Sequence, residues 1–364
     1  MRAWLLLLLT CCAVTPALSQ PKALKLVDSL LNADLRFVPA PILFRSPETS
    51  WGVGVSMGYY FKTDSIARSS NAQMQLVRTF NQQTLFRLSA DIFTKDERVF
   101  IQYYLGYKKY LDRFYGLGPN SLEAAREDFN FNSWVTSVSV LGKVADHAFI
   151  GLNIRHQSMY NIQSRDSLGV LFNKLVQGSA GSNTFGFGPE IRFDTRNNVL
   201  SATSGGFISL VFRHNPAFNI SNPAYQTLLL DMRHYFPLTQ NIIWANRIFN
   251  QHQSGNPPFR ELSLAGGSEL VRGYFQGRYR DKSLSALETE LRIPIWKMLG
   301  ATLFSSTFQV GPDPISLLQH RWKGAYGAGL RIFVNQKERI VVRVDVARTF
   351  ERHTAFYLAL NESF

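Results

Sequence analysis

The stretch Ala265-Gly-Gly-Ser-Glu-Leu-Val-Arg-Gly-Tyr274, and the stretch Glu288-Thr-Glu-Leu-Arg-Ile-Pro294 behind it, decide how the chain is interpreted. The glycines of the first stretch allow a tight loop, because glycine adopts backbone conformations that other residues avoid. The second stretch alternates as a strand does, so Glu288 and Glu290 point to the same side. An arginine in a tight loop directly before two such glutamates predicts a charge-assisted pair between Arg272 and a carboxylate.

Strand-like alternation continues along the chain from Leu35 onward. Short turns such as Lys95-Asp96-Glu97 follow every second strand, whereas the long segments 110–130, 161–183 and 252–283 follow other strands. Outer-membrane barrels show this asymmetry, with short turns on one side and long loops on the other. The pattern predicts an all-β fold, a 16-stranded antiparallel transmembrane β-barrel. Its strands are predicted near 35–45, 51–62, 70–80, 83–95, 98–109, 131–143, 146–160, 184–195, 205–214, 224–236, 241–251, 284–293, 300–310, 324–334, 338–348 and 353–364.

The N-terminus indicates export. Arg2 precedes the apolar run Trp4–Leu9, and Ala17-Leu18-Ser19 has the small-x-small form that signal peptidase cuts. Cys11 and Cys12 follow the apolar run, which leaves a lipoprotein as an alternative. We expect three parts: a signal peptide at 1–19, a short periplasmic lead-in at 20–34 and the barrel at 35–364.

The composition fits amphipathic strands better than spanning helices. After the leader, no window has the roughly 18 or more apolar residues in a row that a spanning helix needs, while 28 Phe and 14 Tyr are spread through the alternating pattern. The formal net charge is +13, but the basic residues are scattered and the chain is exported, which argues against a nucleic-acid partner. A soluble β-sandwich also alternates. The number of strands, the aromatic chain end and the export signal favour the barrel over that alternative.

Sequence motifs for catalysis or metal binding are absent. The seven histidines lack metal-ligand spacing, and there is no Gly-x-Ser-x-Gly elbow, P-loop or dinucleotide fingerprint. A pair such as Asp231 and His234 leaves a barrel-wall hydrolase as an alternative class, but no nucleophile with its base can be nominated. We therefore predict no enzyme activity, no cofactor and no metal.

Three features of the sequence resemble the BamA/TamA-type outer-membrane assembly-factor superfamily, also called the bacterial surface antigens. They are Val271-Arg272-Gly273-Tyr274, the Glu-Leu-Arg-x-Pro stretch that ends at Pro294, and the aromatic chain end. In that family the loop after the eleventh strand folds into the barrel, and its arginine bonds acidic residues on the inner wall. The resemblance implies an inward-folded extracellular loop with a lock in the lumen. The implied lock residues are Arg272, Gly273 and Tyr274, with Glu290 as first partner and Glu288 beside it.

One departure from the family concerns the thirteenth strand. Many relatives carry a further aspartate there, and the matching position in this chain is Ser306. The expected lock therefore depends on strand twelve alone.

The last predicted strand resembles the signal that the barrel-assembly machinery reads during biogenesis. Phe364 stands at its end, with Leu360, Leu358 and Phe356 at alternate positions before it. Glu362 departs from the apolar preference of that signal.

Pro39 and Pro41 lie in the first predicted strand, where they cannot donate to a hydrogen-bonded ladder. In a closed barrel this strand meets the sixteenth. The prolines therefore suggest a weak seam that opens sideways, as in the assembly members of the family. The alternative is that they only start or rim the strand.

The resemblance implies a barrel of the bacterial outer membrane that aids insertion or translocation of outer-membrane or surface proteins. The lead-in at 20–34 is too short for a POTRA domain, so a short member of the family is expected. Expected partners are outer-membrane lipid and lipopolysaccharide, the barrel-assembly machinery during biogenesis, and a periplasmic partner or client proteins. The alternative function is a passive pore or a structural surface barrel without assembly activity.

Overall fold

The computed structural model describes residues 37–63, 68–165, 169–171, 173–217, 223–296, 298–335 and 339–364. The predicted signal peptide at 1–19 and lead-in at 20–34 lie outside these residues. The strands of the described residues are β1 (Phe37–Ser46), β2 (Ser50–Phe61), β3 (Ser70–Thr79), β4 (Thr84–Phe93), β5 (Val99–Phe114), β6 (Glu127–Ala145), β7 (Ala148–Ser164), β8 (Ser182–Asp194), β9 (Gly205–Asn215), β10 (Tyr225–Pro237), β11 (Ile243–Gly255), β12 (Ser263–Ala265), β13 (Tyr279–Asp281), β14 (Ser283–Trp296), β15 (Leu299–Gly311), β16 (Lys323–Asn335), β17 (Ile340–Thr349) and β18 (Thr354–Leu360). Short 3₁₀ helices span Lys95–Glu97, Glu123–Ala125 and Ser316–Leu318.

Sixteen strands, β1 to β11 and β14 to β18, form one closed antiparallel barrel. Consecutive barrel strands are neighbours, β11 pairs directly with β14, and β1 meets β18 to close the ring. β12 and β13 pair with each other in a separate two-stranded sheet. The predicted 16-stranded antiparallel fold is confirmed, and the two-sheet sandwich is excluded. In the described part of the chain, no helix is long and apolar enough to cross a membrane.

The two faces of the barrel wall differ in chemistry. In β17, Arg343 is 2% exposed and Asp345 is 0% exposed, whereas Val346, the residue after Asp345, is 47% exposed. In β8, Glu190 is buried and Ile191 is half exposed. At these positions the charged side chains point into the barrel and the apolar ones point out. This is the arrangement of a strand that faces lipid outside and a polar lumen inside.

The two rims of the barrel differ in the length of their connections. One rim carries the connections at 115–126, 165–181, 256–282 and 312–322, and we call it the long-loop rim. The opposite rim carries shorter ones, including the turns after β6 and β14, and we call it the short-turn rim. Barrel strands with odd numbers from β1 to β11 run toward the long-loop rim.

The hairpin of β5 and β6 runs well beyond its predicted ends. The ladder between β5 and β6 continues to the pair of Phe114 and Glu127, beyond the predicted end at 109 and start at 131. Phe114 and Phe129 each pack against Phe259, with ring centroids 5.6 Å apart in both cases. Contact with this distant residue stabilises the extra pairing, and local alternation does not reveal it.

The connection between β11 and β14, residues 256–282, is mostly buried. It contacts strands on distant parts of the ring. Arg260 bonds to Asp112 of β5, while the main-chain N–H of Gln276 donates to Glu48, in the turn between β1 and β2, at 2.8 Å. Toward β14 to β16, an apolar cluster surrounds the segment and includes Val271, Tyr274, Leu284, Phe308 and Ala325.

Candidate functional site

Arg272 lies at a sharply bent part of the 256–282 segment. Val271 before it and Gly273 after it both have positive φ, 56° and 116°. At Gly273 a Cβ atom would stand 3.0 Å from the Cβ of Ala325, so glycine is required by both backbone and space. The bend is fixed by main-chain donors: the N–H of Val271 donates to Glu288 at 2.8 Å, and the N–H of Gly273 donates to the Tyr357 hydroxyl at 2.9 Å.

The guanidinium of Arg272 divides its donors between two strands. Nη2 donates to Oε1 of Glu290 on β14, and Nη1 donates to Oδ2 of Asp345 on β17 at 2.7 Å. The group also lies over the ring of Phe304, 3.6 Å from its centroid. The side chains of Arg272, Glu290 and Asp345 are at most 2% exposed. Shielding of this kind makes the pairs strong but leaves a large penalty if one partner is removed.

Further arginines surround the two carboxylates. Asp345 accepts hydrogen bonds from Arg331 at 2.6 Å and from Arg343 at 2.8 Å. Glu290 receives Nε of Arg292 at 3.0 Å and the hydroxyl of Ser363 at 2.7 Å. Each carboxylate therefore has several donors, as a buried charge requires.

Each predicted lock residue has a place in this network. The structure brings Arg272 to Glu290. Glu288 lies beside them but receives the N–H of Val271 and, at 3.4 Å, Arg247. The Tyr274 hydroxyl donates to the carbonyl of Gly324 at 3.1 Å.

The expectation that strand twelve alone would hold Arg272 is wrong. Ser306, the position that lacks the aspartate, is in register with Glu288, and no partner of its hydroxyl is present among the described residues. The second carboxylate comes instead from Asp345, on the fifteenth barrel strand. In the sequence its only signal is a lone acidic residue in the alternating run Val344-Asp345-Val346.

The predicted final strand also needs correction. β18 ends at Leu360, and Asn361 turns the chain with a φ of 62°. Residues 361–364, which we call the tail, then lie against buried groups of the barrel. Phe364 is 7% exposed and packs with Ala202, Tyr235 and Ala245. It therefore does not continue the outward row of Phe356, Leu358 and Leu360.

The tail is held by inward-facing arginines. Arg331 Nε donates to Glu362 at 2.7 Å, and Arg292 Nη2 donates to the main-chain oxygen of Phe364 at 2.9 Å. These arginines also bond Asp345 and Glu290, so the tail and Arg272 share one network. The role of the four aromatic and aliphatic residues as an assembly signal stays a prediction.

The join between β1 and β18 is much less paired than its neighbours. β1 pairs with β2 along all ten of its residues. Among the described residues, its register with β18 is the single pair of Arg45 and Leu358. Pro39 and Pro41 stand opposite Met57 and Val55 of β2, in the part of β1 without a described partner in β18. A cavity of about 630 Å³ borders both strands at this join.

A family model for the Omp85 superfamily domain matches residues 93–335. No curated protein matches the chain. Among solved structures, BamA from Haemophilus ducreyi lacking POTRA domains 1–3 is 12% identical, with a TM-score of 0.58 over 90% of this chain and 70% of that one.

Two further similar structures are of proteins named CdiB. CdiB from Escherichia coli has 11% identity and a TM-score of 0.60 over 90% of this chain. CdiB from Acinetobacter baumannii has 10% identity and a TM-score of 0.56 over 89%. This chain spans 63% and 59% of those two chains. At such identities the likeness shows the barrel fold alone.

Proposed function

Because this chain belongs to the Omp85 superfamily, we propose that it is a barrel of the bacterial outer membrane that helps insert or translocate outer-membrane or surface proteins. In this proposal the join between β1 and β18 opens sideways, and the 256–282 segment fills the lumen and locks it through Arg272. The carrying observation is the contrast between a sparsely paired seam and a densely bonded interior.

The outer face supports placement in a membrane. Large apolar side chains are exposed around the ring, among them Val55, Leu152, Leu228 and Leu303 at 45% to 60%. Water contact with so much apolar surface is unfavourable, and a bilayer removes it. The predicted signal peptide supports export, and the long-loop rim then faces the cell exterior.

The short last strand supports a seam at which the bilayer is disturbed. β18 has seven residues and β2 has twelve. At roughly 3.3 Å per residue, β18 extends about 23 Å along its own axis. A tilted strand of that length covers less than the apolar band of about 25 Å that barrels present to lipid. Lipid beside the seam would thin to match, which lowers the barrier to insertion of a client strand.

The interior bonds support a role for Arg272 in keeping the ring closed. Arg272 connects the 256–282 segment to β14 and to β17, the strand next to β18. The network continues through Arg331 to Glu362 in the tail that follows β18. Sideways movement of β18 would therefore pull on the same carboxylates that hold the segment.

A reversible covalent bond across the seam tests the proposal. Arg45→Cys with Leu358→Cys places two thiols at the one register pair of the seam. No other cysteine follows the predicted leader. Oxidation in cells is expected to lower the abundance of other outer-membrane proteins, measured by quantitative mass spectrometry, and a reductant is expected to restore it.

The matched control is Leu210→Cys with Leu230→Cys, a register pair across β9 and β10 far from the seam. Its oxidation is expected to leave the proteome unchanged. If the oxidised seam pair also leaves it unchanged, lateral opening is not the activity of this barrel.

A passive pore is the second candidate function. It is favoured by a cavity of about 370 Å³ inside β3 to β10, lined by charged groups that include Arg192, Asp194, Asp231 and Arg233. Open conductance in bilayers, together with an unaffected proteome in the oxidised seam variant, would select the pore.

A further inference from the structure

We propose that Arg45, Arg78, Lys109 and Arg348 form a binding site for the phosphate groups of a membrane glycolipid, on the outside of the barrel around the seam. The inference rests on the proposed membrane location of the chain. It adds a lipid site that the lumen network does not involve. We call these four residues the outer basic arc.

All four side chains belong to the lipid-facing rows of their strands. Arg45 follows Leu43, which is 53% exposed, at the alternate position of β1. Arg78 follows Leu76 in the same way on β3, and Arg348 follows Val346 on β17. Lys109 is in register with Thr84, which itself stands opposite Arg78. The four cations therefore point away from the lumen.

The arc lies at the long-loop rim. Arg45, Arg78 and Arg348 are each the second-last residue of a strand that runs to this rim. Lys109 faces the first residue of β4, which starts there. In the ring the order is β17, β18, β1, β2, β3, β4, β5, so the arc is continuous and the seam lies within it.

The rest of the outer wall is different. On the described residues of β7 to β11 and β14 to β16, the outward rows contain no Lys, Arg, Asp or Glu. The second-last residues of β9 and β11, the structural counterparts of Arg45 and Arg78, are His214 and Ser254. Charge on the outer wall is thus concentrated on one side, where Asp128 of β6 is the one acidic residue in the outward rows of the described strands and the other charged residues are basic.

The arc has no acidic partners within the described residues. Arg78 donates to the Thr84 hydroxyl at 2.5 Å, and Arg45 lies 5.6 Å from the ring centroid of Trp51. By contrast, Arg113, four residues beyond Lys109 on β5, has an acidic partner, since its Nε lies 4.0 Å from Oδ1 of Asp128. A lipid-facing charge is costly at mid-membrane and tolerated near the interface, where headgroups supply counter-charge. Phosphate is the anion available at that level, and arginine binds it through paired N–H donors.

Aromatic rings beside the cations offer a surface on which the sugar of a phosphorylated glycolipid can pack. Tyr107 and Trp134 lie in the outward rows next to Lys109, with ring centroids 4.7 Å apart. Such rings offer rigid, amphipathic surface at the membrane interface. Neighbouring strands are about 4.8 Å apart, so Arg78 and Lys109, two strands apart, are roughly 10 Å from each other. A headgroup with two phosphates on sugars can contact both cations.

The arc also bears on the seam. Arg45 of β1 lies 5.7 Å from the ring centroid of Phe356 on β18, so it spans the sparsely paired join. A lipid phosphate bound at Arg45 would sit directly over that join.

Retention of lipid by the purified protein tests the site. The full chain, produced in a host that exports it, is reconstituted into phosphatidylcholine vesicles containing either diphosphorylated lipid A or its dephosphorylated form. Lipid retained after mild extraction is counted by native mass spectrometry. Wild type is expected to retain the diphosphorylated form preferentially. A cation near a lipid surface contributes about a fivefold change in affinity. Arg78→Gln is therefore expected to lower lipid retention about fivefold. The fourfold variant, in which all four residues of the outer basic arc are changed to Gln, is expected to lower it more than about a hundredfold.

Controls separate charge from fold. Changing Arg45, Arg78 and Arg348 to Lys keeps the charge and is expected to keep most retention. The matched control places Gln at four basic positions of the short-turn rim, Lys62, Lys95, Arg98 and Lys143, and is expected to behave as wild type. Lys109→Gln alone provides a second, milder test if the fourfold variant folds poorly, as judged by heat-dependent mobility in electrophoresis.

Each other result overturns a defined part of the idea. Equal retention of both lipid A forms, or no loss in the folded Gln variants, removes the site and leaves the proposed function standing. A third set of vesicles contains phosphatidylglycerol in place of lipid A, and equal retention of that lipid removes the glycolipid specificity. A chain that never enters vesicles overturns the membrane location and, with it, both proposals.

Discussion

The hydroxyl of Ser363 donates to Oε1 of Glu290 at 2.7 Å, and this is the same oxygen that receives Nη2 of Arg272. Ser363 belongs to the tail that leaves β18 at the short-turn rim. Arg272 belongs to the segment that leaves β11 at the long-loop rim. Two parts of the chain that start from opposite rims therefore meet on one carboxylate.

Removing the Arg272 side chain is expected to destabilise the barrel. Arg272→Ala leaves Glu290 and Asp345 buried with fewer donors, and the loss of one partner from a buried pair costs about 3–5 kcal/mol. The midpoint of urea unfolding in detergent, followed by the change in electrophoretic mobility, measures this. Arg98→Ala at an exposed turn, with its side chain 79% exposed, is the control and is expected to have little effect. An unchanged midpoint for Arg272→Ala would mean that the bonds of Arg272 do not stabilise the barrel.

Planar-bilayer conductance is expected to separate a closed lumen from an open one. Wild type should conduct little, and Arg272→Ala and Glu290→Ala should open to a similar extent, because either change breaks the same contact. Arg213→Ala is the matched control, because Arg213 also points inward, from β9, but bonds Asn153 instead of the lock. If wild type and both lock variants conduct alike, the segment does not close the lumen and the passive pore becomes the better account.

Asp345→Asn is expected to cost more stability than Glu288→Gln. Asp345 receives three arginines, whereas Glu288 receives one main-chain N–H and one more distant arginine. Neutralising Asp345 leaves three buried cations short of a counter-charge. Thermal midpoints of the two variants in the same detergent provide the comparison. The reverse ranking would mean that Asp345 is not the second anchor of Arg272.

Ser363→Ala is expected to weaken the tail and to act through the lock. A hydrogen bond to a charged group contributes about 1.5–3 kcal/mol. Because both donors share one oxygen, the double variant with Arg272→Ala is expected to lose less stability than the sum of the single variants. Thr354→Ala, at the exposed start of β18, serves as control and is expected to add independently. Strict additivity for Ser363 would show that tail and segment are independent.

Alternation along the chain was enough to predict the barrel strands and a pair between Arg272 and a carboxylate of the following strand, and the resemblance to the family identified that carboxylate as Glu290. That pair lies 18 positions apart, and both the loop and the face of the strand are local properties. Asp345 could not be assigned in the same way, because two strands, β15 and β16, lie between β14 and β17. Its position depends on the curvature of the closed ring. It also depends on Gly329, where a Cβ atom would stand 2.0 Å from a carboxylate oxygen of Asp345.

The tail was missed for a similar reason. The alternation of Phe356, Leu358 and Leu360 points on toward Phe364, and nothing local predicts that the chain turns at Asn361. The turn is explained by Arg292 and Arg331, which bond the tail from other strands.

The bond from Gln276 to Glu48 joins residues 228 positions apart, and the bond from Ser363 to Glu290 joins residues 73 positions apart. Contacts so distant in sequence form slowly, because the entropy of closing the intervening chain is lost before the contact is gained. Until β18 arrives, Glu290 lacks the Ser363 hydroxyl and the ring has an open edge. We therefore expect an unfinished barrel to be high in free energy, so that the final ring closure and the completion of the interior network occur together, as the slow and cooperative step of folding.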